Sequence, residues 1–198
     1  MTHALLAIIT KDYPTEDKIE ELMHPYDENL EVPEYLDKEG ETTTYNPKSK
    51  WDWYNVCRWN PETFESDGVR YRSESPYTEV AIKVENLIDK TNKIKDGDYW
   101  DDKLFNSYIK LMKEGDIWEA GYYRKRYPSF IDYMLEYKDC VYSSVLTPDG
   151  EWHEPGSLGW WGIDNTPIED RLKFGDTFCD KFFVPNKDCY ISVVNYHI

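Results

Sequence analysis

Rings and cations interleave along residues 45–59, Tyr-Asn-Pro-Lys-Ser-Lys-Trp-Asp-Trp-Tyr-Asn-Val-Cys-Arg-Trp. Aromatic faces accept π-systems and cations, while Lys and Arg accept phosphate or carboxylate. The stretch therefore reads as a platform for something flat, anionic or both. Lys48, Lys50, Trp51, Asp52, Trp53, Tyr54, Arg58 and Trp59 are its candidate ligand contacts. The plainer reading is that Trp51, Trp53 and Val56 alternate as the buried face of a strand, since indoles often anchor small cores. Charged neighbours such as Lys50, Asp52 and Arg58 weigh toward a recognition role, because each needs a partner or water.

The same theme returns twice. Arg70-Tyr71-Arg72 follows a Ser-Asp-Gly loop, and Tyr122-Tyr123-Arg124-Lys125-Arg126-Tyr127 forms a third aromatic and basic island. Trp160 and Trp161, set among Gly156, Gly159 and Gly162, add two more rings to the candidate surface. Histidines offer a second chemistry. His153 lies beside Glu154 in a turn and His197 ends the last predicted strand, so a folded sheet bringing them together with Asp52 would suit metal binding or proton transfer. His3 and His24 lie at element ends and read as ordinary. No H-E-x-x-H, phosphate-binding loop, dinucleotide fingerprint or nucleophile elbow is present, so no cofactor and no metal ligand set is implied. Cys57 beside Arg58 has no histidine near it in sequence and reads as a buried thiol.

Composition narrows the classes. The 23 Lys plus Arg against 39 Asp plus Glu leave a net charge of −16, a field that opposes direct nucleic-acid or anionic-membrane binding and attracts basic protein surfaces. Aromatics at 16% argue against an acidic disordered chain. Four scattered cysteines without a C-x-x-C pair, no secretory leader and no run of 18 apolar residues together predict a soluble, cytoplasmic protein with free thiols.

These residues must be positioned by a small set of elements. The apolar run Ala4 to Ile9 predicts a central strand buried on both faces. Pro14-Thr15-Glu16-Asp17 opens a helix with Ile19, Leu22 and Met23 on one stripe. Residues 27–44 read as an acidic exposed loop, and a strand is expected over residues 51–59. Helices are predicted from Tyr77 to about Ile94, after an Asp98 cap, and from Pro128. Pro148-Asp149-Gly150 predicts a hairpin, Thr166-Pro167-Ile168-Glu169 a capping box, and Cys189 to Val194 the final strand. In order these give one α+β domain, a ferredoxin-like (β-α-β-β-α-β) antiparallel sheet with residues 75 to 138 as a helical insertion.

Asn46-Pro47-Lys48-Ser49-Lys50-Trp51-Asp52-Trp53-Tyr54 followed by Arg58-Trp59 resembles the signature of a poorly characterised family of bacteriophage proteins. Trp152-His153-Glu154-Pro155-Gly156, Gly159-Trp160-Trp161-Gly162 and a terminal His-Ile are also similar. In that family the run continues into Gly-Gly-Arg-Trp; here Val56-Cys57 replaces the glycines, removing the close backbone approach they permit. The resemblance implies a phage accessory protein acting in the bacterial cytoplasm, and no settled activity. Two functions follow as expectations. One is a non-enzymatic protein that counters host defence, either by docking its acidic surface on a host protein or by sequestering a nucleotide-like signal between rings and arginines. The other is a phosphodiesterase-like or metal-assisted hydrolase using Asp52, His153, Glu154 or His197.

Overall fold

The fold is built on one long strand pair. In the computed structural model, which describes residues 3–68, 76–114, 121–156 and 166–197, the apolar run becomes β1 (His3–Thr10). The chain continues through α1 (Glu16–Met23), β2 (Tyr35–Leu36), β3 (Thr42–Thr43), β4 (Trp53–Val56), β5 (Trp59–Asn60), β6 (Glu65–Ser66) and β7 (Ile82–Lys83). Four helices follow, α2 (Val84–Lys95), α3 (Asp102–Glu114), α4 (Tyr122–Arg126) and α5 (Phe130–Tyr137). Then come β8 (Ser144–Leu146), β9 (Trp152–His153), α6 (Ile168–Phe178) and β10 (Tyr190–His197).

β1 pairs antiparallel with β10 over its whole length, from His3 opposite His197 to Thr10 opposite Tyr190. The sheet runs β4-β10-β1-β8-β9, with β7 joining the other end of β10. β1 and β8 are parallel, so the sheet is mixed rather than antiparallel throughout. The reason lies in the helices: the chain crosses over through them and re-enters the sheet in its original direction, as a crossover connection requires. The hairpin then closes as expected, with Thr147 N–H donating to Glu151 O and Gly150 at φ +83°.

Both faces of the central strands are covered, which explains their unbroken apolar sequence. On one face Ile19 and Met23 of α1 pack on Leu6, Ile8, Val194 and Tyr196. Thr15 caps that helix by accepting from Lys18 N–H, and Glu16 and Asp17 sit at its positive end. On the other face Val84, Leu87, Phe178, Phe182 and Phe183 cover Ala7, Ile9, Val145 and Val193. A third cluster, with Ile94, Leu104, Tyr133 and Met134, holds α3, α4 and α5 together.

Several element starts depart from expectation, each for a local reason. Ile82 and Lys83 pair with β10, so α2 begins only at Val84. Asp101, rather than Asp98, accepts from Leu104 N–H at the head of α3. Pro167 is extended at ψ 140° and takes the cap position of α6 without a side-chain bond, which leaves Thr166 one residue too early for the predicted capping box. The capping box forms instead at α5, where Ser129 and Asp132 bond reciprocally, so Pro128 precedes the cap. The strand expected over residues 51–59 is β4 alone; beyond it Trp59-Asn60 turns away to pair with β6.

A buried polar knot fixes β6 to the end of α5. Asp139, at φ +59°, accepts from Ser66 N–H and Ser66 Oγ, while Lys90 Nζ donates to Phe64 O. Beside them Lys138 bridges Glu65 and Asp101, both at 2.8 Å. Burial pushes the Asp139 carboxyl up to about 6, against the partial offset of Lys90 and the Ser66 donors. A carboxyl raised in the fold holds its proton more tightly folded than unfolded. Its contribution to stability is therefore complete below about pH 4 and is lost as pH rises through about 6. Denaturant unfolding of wild type and Asp139→Asn across pH 4 to 7 should show this component in their difference, stability falling with pH for wild type only. Parallel pH profiles would refute it.

Candidate functional site

The aromatic and cationic stretch is bound into the sheet face that α1 covers. Trp51 packs edge-on against Tyr54 with centroids 4.8 Å apart, and its Nε1 donates to Met23 O at 3.1 Å. Burial raises the Tyr54 phenol, aided by the Glu20 and Asp27 carboxylates. Lys50 Nζ meets Glu154 Oε1 at 2.6 Å, and Glu154 Oε2 accepts from Trp152 Nε1. Arg58 pairs with Glu16 at the head of α1. Trp59 is fully buried in the core, not on a surface, because β5 turns under α2. Trp53, 53% exposed, and Lys48 face outward. Cys57 is buried, and burial, then Asp67, raises its thiol well above the ordinary range. Arg70, Arg72, Trp160 and Trp161 lie outside the described residues.

The expected histidine pair does not assemble. His153 stands on β9, with Nε2 3.2 Å from Thr147 Oγ1 and its ring 5.3 Å from Phe182. His197 stands on β10, with β1 and β8 between them. The registers add a four-residue offset, so strand geometry separates the two by roughly 20 Å. His197 instead bonds Asp52, Nδ1 to Oδ1 at 2.6 Å, and neighbours His3. His3, read from sequence as ordinary, is the histidine whose ring lies 5.5 Å from that of His197.

A cavity of about 400 Å³ opens on the other face of the sheet. Its floor is β1 and β10, through Leu5 and Asn195, and Gly68 follows β6. A side chain on Gly68 would meet Cys57 Sγ at 2.6 Å, so close packing there demands glycine. The walls are α4, α5 and α6. Leu135, Val141 and Phe174 supply apolar surface, while Lys95, Arg126 and Arg171 supply positive charge and Asp132, Glu136 and Asp176 negative charge.

Arg126 comes from the third aromatic and basic island, and its guanidinium is held on three sides. Nε donates to Tyr127 Oη at 3.0 Å, Nη1 to Tyr122 Oη at 2.9 Å, and Nη2 to Glu136 at 2.8 Å. Tyr127 Oη also donates to Glu136 at 2.7 Å. Burial alone would lower Arg126, but Glu136 and the two phenols outweigh it and hold it above its ordinary value. Burial lowers Arg171, and the nearby Arg126 charge lowers it further. Two guanidiniums thus share one half-enclosed volume with apolar walls, an arrangement that favours an anion with a non-polar body. The island itself was legible from sequence. Arg171, Glu136 and Asn195 carried no local signal, because helix packing and strand register alone bring them there.

Comparison with protein-family models, curated proteins and solved structures gave no match to this chain.

Trp59 tests the division between core and surface. Its indole is fully buried, and Nε1 has no hydrogen-bond partner among the described residues. Trp59→Ala should cost about 3–5 kcal/mol, as large aromatic truncations do. Trp59→Phe should cost far less than its lost volume implies, because it also removes a buried, unsatisfied donor. Equal losses for the two variants in urea unfolding would show that Nε1 is satisfied.

Proposed function

We propose that the protein is a non-enzymatic binder that captures a small anion with an aromatic or apolar body, a nucleotide-like compound, in the cavity between the sheet and α4, α5 and α6. The observation that carries this reading is the pair of guanidiniums, Arg126 and Arg171, beside an apolar-walled volume of about 400 Å³, within the size range of small-ligand clefts. Arg126 is preorganised by Tyr122, Tyr127 and Glu136, so little side-chain entropy is lost when it meets a ligand. The stretch at residues 45–59 serves this binder as framework, with Trp53 and Lys48 its exposed remainder. Sequestration of a nucleotide signal is the action such a cavity gives a phage accessory protein that counters host defence.

A second reading rests on the charge of −16: the acidic surface docks on a basic patch of a host protein. Its affinity would fall steeply with salt, whereas a ligand enclosed in the cavity is screened far less.

Adenosine 5′-monophosphate serves as the probe, titrated calorimetrically into purified protein, alongside native mass spectrometry for a co-purified small molecule. Wild type should bind and be stabilised, by about 2.7 kcal/mol at a hundredfold excess over Kd. Arg171→Gln should weaken binding about tenfold or more, the worth of one charged hydrogen bond. Gly175 of α6 lines the cavity, and an added Cβ would meet only Val141, at 3.8 Å. Gly175→Leu should therefore fold and plug the cavity. Unaltered affinity in both variants, or no anion bound by wild type, would dismiss the reading.

A further inference from the structure

We infer that the exposed indole of Trp100 is a docking shelf for an arginine-bearing segment of a partner protein, an inference that rests on the acidic-surface reading for the sign of the partner's charge. Trp100 stands in the connection between α2 and α3 and is 58% exposed. Its ring packs on Phe105 of α3 and Phe130 of α5, with centroids 5.0 and 4.9 Å away, and those two rings meet each other at 5.1 Å. Nε1 donates to Asp102 Oδ1 at 3.0 Å, so the indole is fixed at its edge as well. The ring is held in place before any partner arrives, and little side-chain freedom remains to be lost on binding.

The turn that carries it is equally fixed. Gly97, at φ +80°, follows the end of α2, and the N–H groups of Asp98 and Tyr99 both donate to Lys93 O. The buried Lys138 ammonium lies 5.4 Å from the Tyr99 ring and binds Asp101 at 2.8 Å. Tyr99 and Asp101 thus turn toward Lys138, and Trp100 between them turns outward. A large ring that is rigid and still exposed is the kind of anchor on which protein interfaces concentrate their binding energy.

The charges around the ring choose the partner. From Asp96 to Lys103 the chain carries four aspartates and one lysine. Asp101 is spent on Lys138, whereas Asp96, Asp98 and Asp102 are exposed and make no ion pair among the described residues. An indole face attracts a cation, and Asp102 at its rim supplies the counter-charge. Arginine fits better than lysine, because its planar guanidinium stacks on rings and is more weakly hydrated. Phosphate-bearing partners, nucleic acid and lipid among them, meet the same carboxylates as repulsion. A second copy of this chain brings a further net charge of −16 and the same acidic rim, which disfavours self-association.

Fluorescein-labelled hexa-arginine and hexa-lysine peptides, equal in charge, are the probes, titrated by anisotropy at a salt that screens charges more than about 10 Å apart. Hexa-arginine should bind wild type more tightly than hexa-lysine. Trp100→Ala should weaken hexa-arginine about fivefold, the worth of one exposed cation–π contact. Asp102→Asn keeps an acceptor for the indole N–H and should also weaken it, which preserves the test if Trp100→Ala loses its fold. Glu39→Gln, the same loss of charge on the β2–β3 hairpin, and Trp53→Ala, at another exposed indole, should leave affinity unchanged. Trp100→Ala and Asp102→Asn both matching wild type would overturn the shelf and spare the acidic-surface reading, whereas no binding of either peptide would remove both. Wild type sedimenting as a dimer that Trp100→Ala dissolves would assign the shelf to a second copy and overturn it likewise. Gly175→Leu, which plugs the cavity, should leave hexa-arginine affinity unchanged; a loss there would place the peptide in the cavity instead.

Discussion

Everything in the molecule refers to the eight-residue pairing of β1 with β10. Residues three and 197 meet at one end of it, and ten and 190 at the other, which closes the chain's two ends into one ribbon at the centre of the sheet. Strand side chains alternate between faces, so this register decides which residues see α1 and which see the cavity. Leu6, Ile8, Val194 and Tyr196 go one way. His3, Leu5, Asn195 and His197 go the other. A slip of one residue in either strand would turn its histidine toward α1 and carry its apolar side chains away from the neighbours they pack on, which holds the register firmly in place.

Charge is handled unevenly across this frame. The surface is strongly acidic, yet two cations that looked available for ligands are spent on local carboxylates, Lys50 on Glu154 and Arg58 on Glu16. The partly exposed pairs of Lys50 and Arg58 contribute little to stability, and their main effect is to hold loops in register. Lys50 ties the segment before β4 to the β9 hairpin, and Arg58 ties its end to α1. An anion approaching the cavity meets long-range repulsion, which slows association. Affinity must then come from short-range contacts, the guanidinium forks and the apolar walls. That combination would suit the proposed ligand, with both an anionic group and a hydrophobic body, better than a simple inorganic anion.

What could be read in the sequence was what local chemistry determines. The buried central strand, the helix opened by Pro14-Thr15-Glu16-Asp17 and the Pro-Asp-Gly hairpin follow from short-range rules and stand as expected. The capping box at Thr166 did not form, because the extended backbone at Pro167 moved the helix start by one residue. The parallel β1–β8 pair was out of reach, since strand direction depends on how some 130 intervening residues cross the sheet. Histidine assignment failed for the same reason. His153 and His197 look alike in sequence, and only strand order shows that His197 neighbours His3 instead.

The ring-and-cation pattern at residues 45–59 has a structural cause that sequence could not separate from a binding one. β4 is a four-residue edge strand, too short to hold its place by backbone pairing alone. Trp51 and Tyr54 give it an apolar anchor under α1, and Lys50 and Arg58 give it two ionic ties. Rings with cations are what a short edge strand needs to be fastened, and also what an anionic aromatic ligand needs to be held. The two uses part only in three dimensions. Where the cation's partner is a carboxylate on a neighbouring element, the pattern is a fastening. At Arg126 the guanidinium is likewise braced by Glu136, but it borders an open cavity beside a second guanidinium, so its field still reaches a guest. On the proposed reading, enclosed volume next to the charge, rather than the charge pattern itself, is what would distinguish a site from a clasp in this fold.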